Sequence, residues 1–306
     1  MHEHLARVLY YCGVHLLYAS LVWVAAWVLT SIPRGSATVK HWIWFATLLN
    51  FIVPAGAILD RLFAPHLSGA RPLRFIGGTG LQIAENTALA STLAAVWLLG
   101  ASLMAARLYS RLRNERRAIR TDNLKQAFLA HGVPVTICGK CQAPAVGGIL
   151  HPHISLPGGI DRLLSEPELN AVLIHEVTHA RRRDNLIRLI HEAELCVLWF
   201  LPLVWITGSR LALYRELSCD ESVIQRAHGA ELVTALAKLA NPDETLLLQA
   251  GASSLLSHRL ARLAVAPPQR MSRAASVVLT VVFGAALIGG SWGAVSHTAC
   301  CFLLRR

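Results

Sequence analysis

The chain has 306 residues, of which 54% are hydrophobic and only 15% charged, with a formal net charge of +11. Soluble domains carry about 25% charged residues, and disordered chains are poor in apolar ones, so both classes are excluded. Seven cysteines without a repeated spacing make no disulfide scaffold. The apolar surplus is gathered into a few long uncharged runs, the pattern of an integral membrane protein with one polar unit.

Four runs lack Asp, Glu, Lys and Arg: Val8 to Pro33, His41 to Leu59, Asn86 to Ala106 and Ala274 to Leu304. Each suits a membrane helix, which needs about 20 apolar residues. The last is longer than needed, so its helix is placed at Ala274 to Val295, with a short tail behind it. The first run is too long for a signal peptide, lacks a small-residue cleavage site and carries Trp23 and Trp27 in its body, so it reads as a retained anchor.

The lysines and arginines flanking the spans set the orientation. With the polar segment from Tyr109 to Arg273 inside, the cytoplasmic flanks hold eleven such residues against six outside, the densest group being Arg111, Arg113, Arg116, Arg117 and Arg120. The net positive charge therefore reads as a membrane flank on anionic headgroups, not as a nucleic-acid surface. Direct nucleic-acid binding is not expected. The chain divides into residues 1–108 with three spans, 109–273 as a cytoplasmic domain, and 274–306 as the fourth span and tail.

Within the polar segment, Thr121 to Ala130 reads as a helix leading out of the membrane. Pro134 to Cys138 and Ile149 to Leu156 read as strands around a Gly147-Gly148 turn. Ser165 and Glu168 then form a capping box with Pro167 in the first turn, opening a long helix. That helix carries His175-Glu176-Val177-Thr178-His179 and is read as continuing through His191 and Glu192.

The pattern H-E-x-x-H puts two imidazoles four residues apart on one helix face, where both reach one metal. Zinc fits such a site, because it accepts two histidines and a carboxylate and keeps a fourth position for water. Bound zinc lowers the pKa of that water to ~7, within reach of Glu176 as general base. The motif constrains only three positions, so a third ligand must support it. Asn185 stands where one class of zinc proteases has a third histidine, and His191 and Glu192 lie too far along a continuous helix. A return helix over Arg210 to Ala227, after a turn around Thr207-Gly208-Ser209, offers Glu216 as the ligand. Asp220, one turn on, is placed to hydrogen-bond the free ring N–H of a ligand histidine. Alternatively, Glu216 is an exposed carboxylate pairing with Arg215 or Arg210.

Four stretches together resemble the BlaR/MecR-type integral-membrane zinc metallopeptidases. They are Pro144 to Pro157, His175 to His179 with Arg182, Arg183 and Asp184, Phe200 to Trp205, and Arg215 to Asp220. The resemblance implies a mainly α, polytopic protein whose gluzincin-like protease domain, with a small β-sheet, is inserted between spans 3 and 4. It also implies one zinc ion on His175, His179 and Glu216, with Glu176 as general base. A signal-transducing endopeptidase follows, cutting a winged-helix repressor or a membrane-proximal protein. Those sensors carry a penicillin-binding domain after the fourth span. Here only a short tail follows, and no S-x-x-K motif occurs, so sensing by acylation is not expected. The alternatives are a quality-control metalloprotease of the HtpX type and a catalytically inactive membrane scaffold.

Smaller signals remain. Leu195 to Ser209 is apolar, broken by Pro202, and reads either as membrane-dipping or as protease core. Cys138-x-x-Cys141 lacks a second pair for a zinc ribbon and the helix start of a redox motif, so no role is expected of it. Cys300-Cys301 carries no decisive signal. Cys219 is expected to face away from Glu216 and Asp220.

Overall fold

The computed structural model describes residues 2–32, 35–53, 87–121, 125–139, 141–239 and 259, with 281–285, 287 and 289. The protein is mainly helical, with one small mixed sheet. Three helices come first: α1 (His2–Ser31), α2 (Ala37–Ile52) and α3 (Thr87–Thr121). Strands β1 (Lys125–Ala130), β2 (Val133–Cys138), β3 (Ala145–Gly147) and β4 (His153–Pro157) follow. The remaining helices are α4 (Ile160–Leu163), α5 (Glu166–Arg182), α6 (Asp184–Leu198), α7 (Pro202–Ile224) and α8 (Gly229–Leu239).

Two described stretches are long and apolar enough to cross a membrane, Cys12–Ser31 in α1 and Ser91–Glu115 in α3. Leu98, Leu99 and Leu103 of α3 are exposed, the face a lipid-bound helix presents. The expected second span at residues 41–59 is helical to Ile52 and then leaves the described residues. The fourth, at residues 274–295, is helical at its few described positions and otherwise lies outside them, as do Cys300 and Cys301.

The sheet has the order β1-β2-β4-β3, with β2 and β4 parallel and the other pairs antiparallel. The stretch expected as a helix at Thr121 to Ala130 is instead the end of α3 followed by β1. His131 and Gly132 both take positive φ, 49° and 82°, and turn the chain so that Ala130 pairs with Val133. A two-residue loop of this kind matches the twist of a hairpin, and pairing with β2 overrides a local sequence that is compatible with helix.

Two further boundaries differ from the sequence reading. The long helix does not run on to His191: Arg183 adopts a left-handed conformation (φ 57°, ψ 48°) that ends α5 and starts α6 in a new direction. The expected turn at Thr207 to Ser209 is absent, and α7 runs unbroken from Pro202 at its first turn. A proline there costs no hydrogen bond, since the first N–H groups of a helix have no internal acceptor. The capping box at Ser165 and Glu168 is present, with Glu168 Oε2 accepting from the Ser165 N–H at 2.8 Å.

Two hydrophobic cores meet on α7. Val135, Ile154 and Leu156 of the sheet pack with Val172 and Val177 of α5, Leu232 of α8 and Val223 near the end of α7. Trp44 and Leu48 of α2 pack with Leu195 and Leu198 of α6 and with Val204 and Leu211 of α7. Burying one such side chain is worth roughly 1.5–3 kcal/mol, so α7 is pinned at both ends. Polar contacts lock it further onto the first two helices. Trp23 Nε1 donates to Thr207 Oγ1 at 3.0 Å, Tyr214 Oη donates to the Thr30 carbonyl at 3.2 Å, and Ser36 Oγ donates to Glu221 Oε2 at 2.8 Å. On the other side, α3 docks against α6 where Trp199 covers Gly100; any Cβ at Gly100 would lie 2.1 Å from the indole.

Candidate metal centre

The site forms where α5 crosses α7. Helical spacing brings His175 and His179 onto one face of α5, and their Nε2 atoms stand 3.1 Å apart. Glu216 on α7 presents Oε2 to both, 3.6 Å from His175 Nε2 and 3.7 Å from His179 Nε2. Four ligands at ~2.1 Å around a tetrahedral ion are separated by about 3.4 Å. The three observed separations bracket that value, so this donor set fits one metal ion. Glu176 lines the same cleft, beside His175.

The opposite nitrogen of each ring meets a carboxylate. His179 Nδ1 is 2.6 Å from Asp184 Oδ2, and His175 Nδ1 is 3.1 Å from Asp220 Oδ1. Asp220, expected to hydrogen-bond a ligand histidine, thus lies beside the His175 ring. Asp184 was read only as part of a motif, because its approach depends on the left-handed turn at Arg183. Arg182 donates to both Asp184 oxygens, at 2.6 and 2.7 Å, and also to Ser218 Oγ and the Arg215 carbonyl. Arg259 donates to both oxygens of Asp220, at 2.9 and 2.8 Å. No spacing rule could single out Arg259, which lies 39 residues from its partner.

Glu216 is not the exposed carboxylate of the alternative reading, its side chain being 14% exposed, but it does contact Arg215: Oε2 faces the histidines, while Oε1 lies 3.2 Å from Arg215 Nε. Cys219 does not point away from the site as expected. It is fully buried, with Sγ 3.4 Å from His179 Nδ1 and 3.3 Å from Arg182 Nη2. His175, His179 and Cys219 also lie close enough to be considered as a metal cluster. The thiol, however, meets the Nδ1 side of His179, which already faces Asp184, so Glu216 is the better partner for the Nε2 pair.

Electrostatics agree with a cation site. Burial works against charge on His175, yet the Asp220 and Glu216 carboxylates outweigh it and lift its pKa to about 9. His179 is likewise raised against burial by Asp184, Cys219 and Glu216. Burial would raise the Glu216 pKa, but the two imidazoles hold it well below the usual carboxylate range.

His191 and Glu192 take no part in this cluster: His191 Nε2 lies 3.2 Å from the Val204 carbonyl, and Glu192 pairs with Arg111 and Arg188. Asn185, where a third histidine was sought, donates instead to the Val146 and Gly148 carbonyls at 2.9 and 3.0 Å. It thereby ties edge strand β3 to the rim of the cleft. Gly148 is left-handed at φ +80°, and a Cβ there would lie 2.3 Å from the His151 carbonyl, so the turn after β3 needs glycine. Cys138 and Cys141, for which no role was expected, are joined in a disulfide at the end of β2.

The cleft has a volume of about 420 Å³ and is apolar toward Leu232, Leu236 and Leu239 of α8 and basic toward Arg188 and Arg215. The sequence profile of the BlaR1 peptidase M56 family matches residues 12–263. The chain is 25% identical over 311 residues to the regulatory protein BlaR1 of Bacillus licheniformis, covering 90% of this chain and 50% of that protein. It is 21% identical over 123 residues to the methicillin resistance mecR1 protein of Staphylococcus aureus strain Mu50, covering 40% of this chain and 21% of that protein. The chain therefore spans about half the length, or less, of these curated relatives. By the extent of the match, the chain belongs to the BlaR1 peptidase M56 family of metallopeptidases.

Proposed function

We propose that the protein is a membrane-tethered, zinc-dependent endopeptidase. The observation that carries this reading is the triangle of His175 Nε2, His179 Nε2 and Glu216 Oε2, with edges of 3.1, 3.6 and 3.7 Å. These three residues would hold the ion, and Asp220 and Asp184 would fix the ring orientations from behind. When bound, zinc supplies Lewis-acid charge and makes a nearby water easier to deprotonate. Glu176 takes that proton and returns it to the leaving amine. The apolar wall of α8 excludes water from one side of the cleft, and β3 offers a strand edge along which an extended peptide can lie.

The peptidase domain is assigned to residues 109–273, between three spans in 1–108 and a fourth in 274–306. It faces the cytoplasm of a plasma (inner) membrane protein. Val197, Phe200, Trp205 and Ile206 expose apolar side chains on the α6–α7 corner, which Trp97 of α3 reaches through a hydrogen bond to the Val197 carbonyl, and they favour membrane contact for that corner. In keeping with the names of its relatives, the function is signal transduction, through cleavage of a winged-helix transcriptional repressor or a membrane-proximal protein. The test is zinc content together with crosslinking of a Glu176→Gln variant. One zinc per chain, with a substrate retained uncut by the variant, supports the reading. A folded protein that binds no zinc removes it.

A further inference from the structure

Behind the cleft lies a second cavity of about 340 Å³, walled by α2, α6 and α7. Asp184, Arg188 and Arg215 line both spaces and so stand at their boundary. Of these, Asp184 is committed to Arg182 and His179. The two arginines are not so fully engaged. Among the described residues Arg188 has only Glu192 Oε1 at 3.2 Å, an oxygen that also faces Arg111, and its side chain is 49% exposed. Arg215 has Glu216 Oε1 at 3.2 Å, on the carboxylate whose other oxygen faces the histidines. Burial, and then repulsion from Arg111 and Arg215, lowers the Arg188 pKa. Deeper in, His41 of α2 is fully buried, and neither ring nitrogen has a hydrogen-bond partner among the described residues.

Resting on the peptidase reading, we propose that this cavity is a specificity pocket for an acidic residue of the peptide substrate, whose carboxylate sits between the guanidinium groups of Arg188 and Arg215. A planar guanidinium matches a carboxylate with paired N–H donors. The carboxylates lining the cavity, Asp184 and Glu192, are already paired with Arg182 and with Arg111 and Arg188, so a lysine there would face the two arginines without a free partner. An apolar side chain would strip water from both arginines, leaving each with one shared carboxylate, and would leave His41 unpaired, which is how a polar pocket rejects the wrong substrate. The opposite end of the cleft, lined by leucines of α8, takes an apolar residue of the same peptide.

The experiment uses the full-length Glu176→Gln protein, loaded with zinc in detergent. A position-scanned set of labelled peptides is made, each with Glu, Gln or Lys at the varied position, and binding is read by fluorescence anisotropy. At one position Glu should bind about 10-fold or more tightly than Gln, the range of a charge-assisted hydrogen bond, and Lys should bind weakest. Adding Arg188→Gln should abolish the preference, and Arg188→Glu should turn it toward Lys, both with zinc content unchanged. Equal binding of Glu, Gln and Lys at every position overturns the pocket, as does a preference that survives Arg188→Glu or a set in which no peptide binds. Failure of the peptidase reading looks different: the parent protein cuts no peptide although the Glu preference in binding persists.

Discussion

Asp184 Oδ2 accepts a 2.6 Å hydrogen bond from Nδ1 of His179, and Arg182 holds the same carboxylate in place with two further hydrogen bonds. Asp220 meets His175 at the longer distance of 3.1 Å and is braced by Arg259. Each histidine at the centre is thus backed by its own carboxylate–guanidinium pair, and the two pairs come from different parts of the chain. Asp184→Asn should lower zinc affinity ~10–100-fold, the usual cost of losing such a partner. Asp220→Asn should cost the same or less, in line with its longer contact. Competition with a fluorescent chelator measures both.

Glu216→Gln and Glu176→Gln should separate cleanly. The first weakens one of three protein bonds to the metal and should lower zinc content along with activity. The second keeps all three ligands and removes the proton acceptor, so zinc should stay while peptide cleavage falls ~10²–10⁴-fold. His191→Ala is the control for metal content, because His191 faces the Val204 carbonyl rather than the Nε2 pair. Zinc lost in His191→Ala and kept in Glu216→Gln would require a different ligand set.

Arg182 ties α5 to α6 and α7 through Asp184, Ser218 and the Arg215 carbonyl, with its side chain only 9% exposed. Arg182→Ala leaves a buried carboxylate uncompensated and should destabilise the fold by about 3–5 kcal/mol. Arg182→Lys should recover only part of this, since an ammonium cannot reproduce the fork. Denaturant titration in detergent reads both.

Glu194 on α6 is fully buried, with both carboxyl oxygens unbonded among the described residues, and burial pushes its pKa up to about 8 from 4.5. Below 4.5 the group is protonated in both folded and unfolded chains. As pH rises from 4.5 to about 8, the unfolded chain loses the proton and the folded one keeps it, so stability falls across that window. At ~1.4 kcal/mol per pH unit the loss is at most about 5 kcal/mol. Glu194→Gln should flatten this dependence and raise the melting temperature at pH 8. An unchanged pH profile in the variant would show that Glu194 ionises normally.

The cytoplasmic placement rests on the count of basic flanks, and Cys138 and Cys219 cannot report on it, being 3% and 0% exposed. Asp161 of α4 is exposed and does not line the cleft. A cysteine placed there should resist a membrane-impermeant maleimide in sealed cells and react once they are opened. Labelling in sealed cells would put the domain outside. The Cys138–Cys141 disulfide would then suit its compartment, since such bonds persist in oxidising surroundings.

The sequence by itself determined the features whose physics is local. Uncharged runs mark α1 and α3, because a bilayer demands unbroken apolar helix. The capping box starts α5 at Ser165, and a four-residue spacing puts His175 and His179 on one face, because helical periodicity is a property of the backbone alone. Glu216 and Asp220 were legible for the same reason, once a return helix was assumed. Tertiary structure decided everything that depends on where one element meets another. A left-handed Arg183 turns Asp184 back onto His179 and carries His191 into a second cavity. Pairing with β2 makes a strand of residues 125–130, whose side chains suit a helix equally well. Contact with α1 and α2 runs α7 unbroken through Gly208, where local residue types suggested a turn. Arg259 reaches Asp220 across 39 residues, and Arg188 and Arg215 come together from separate helices. Such encounters are set by packing and loop closure, neither of which is encoded at any fixed spacing along the chain.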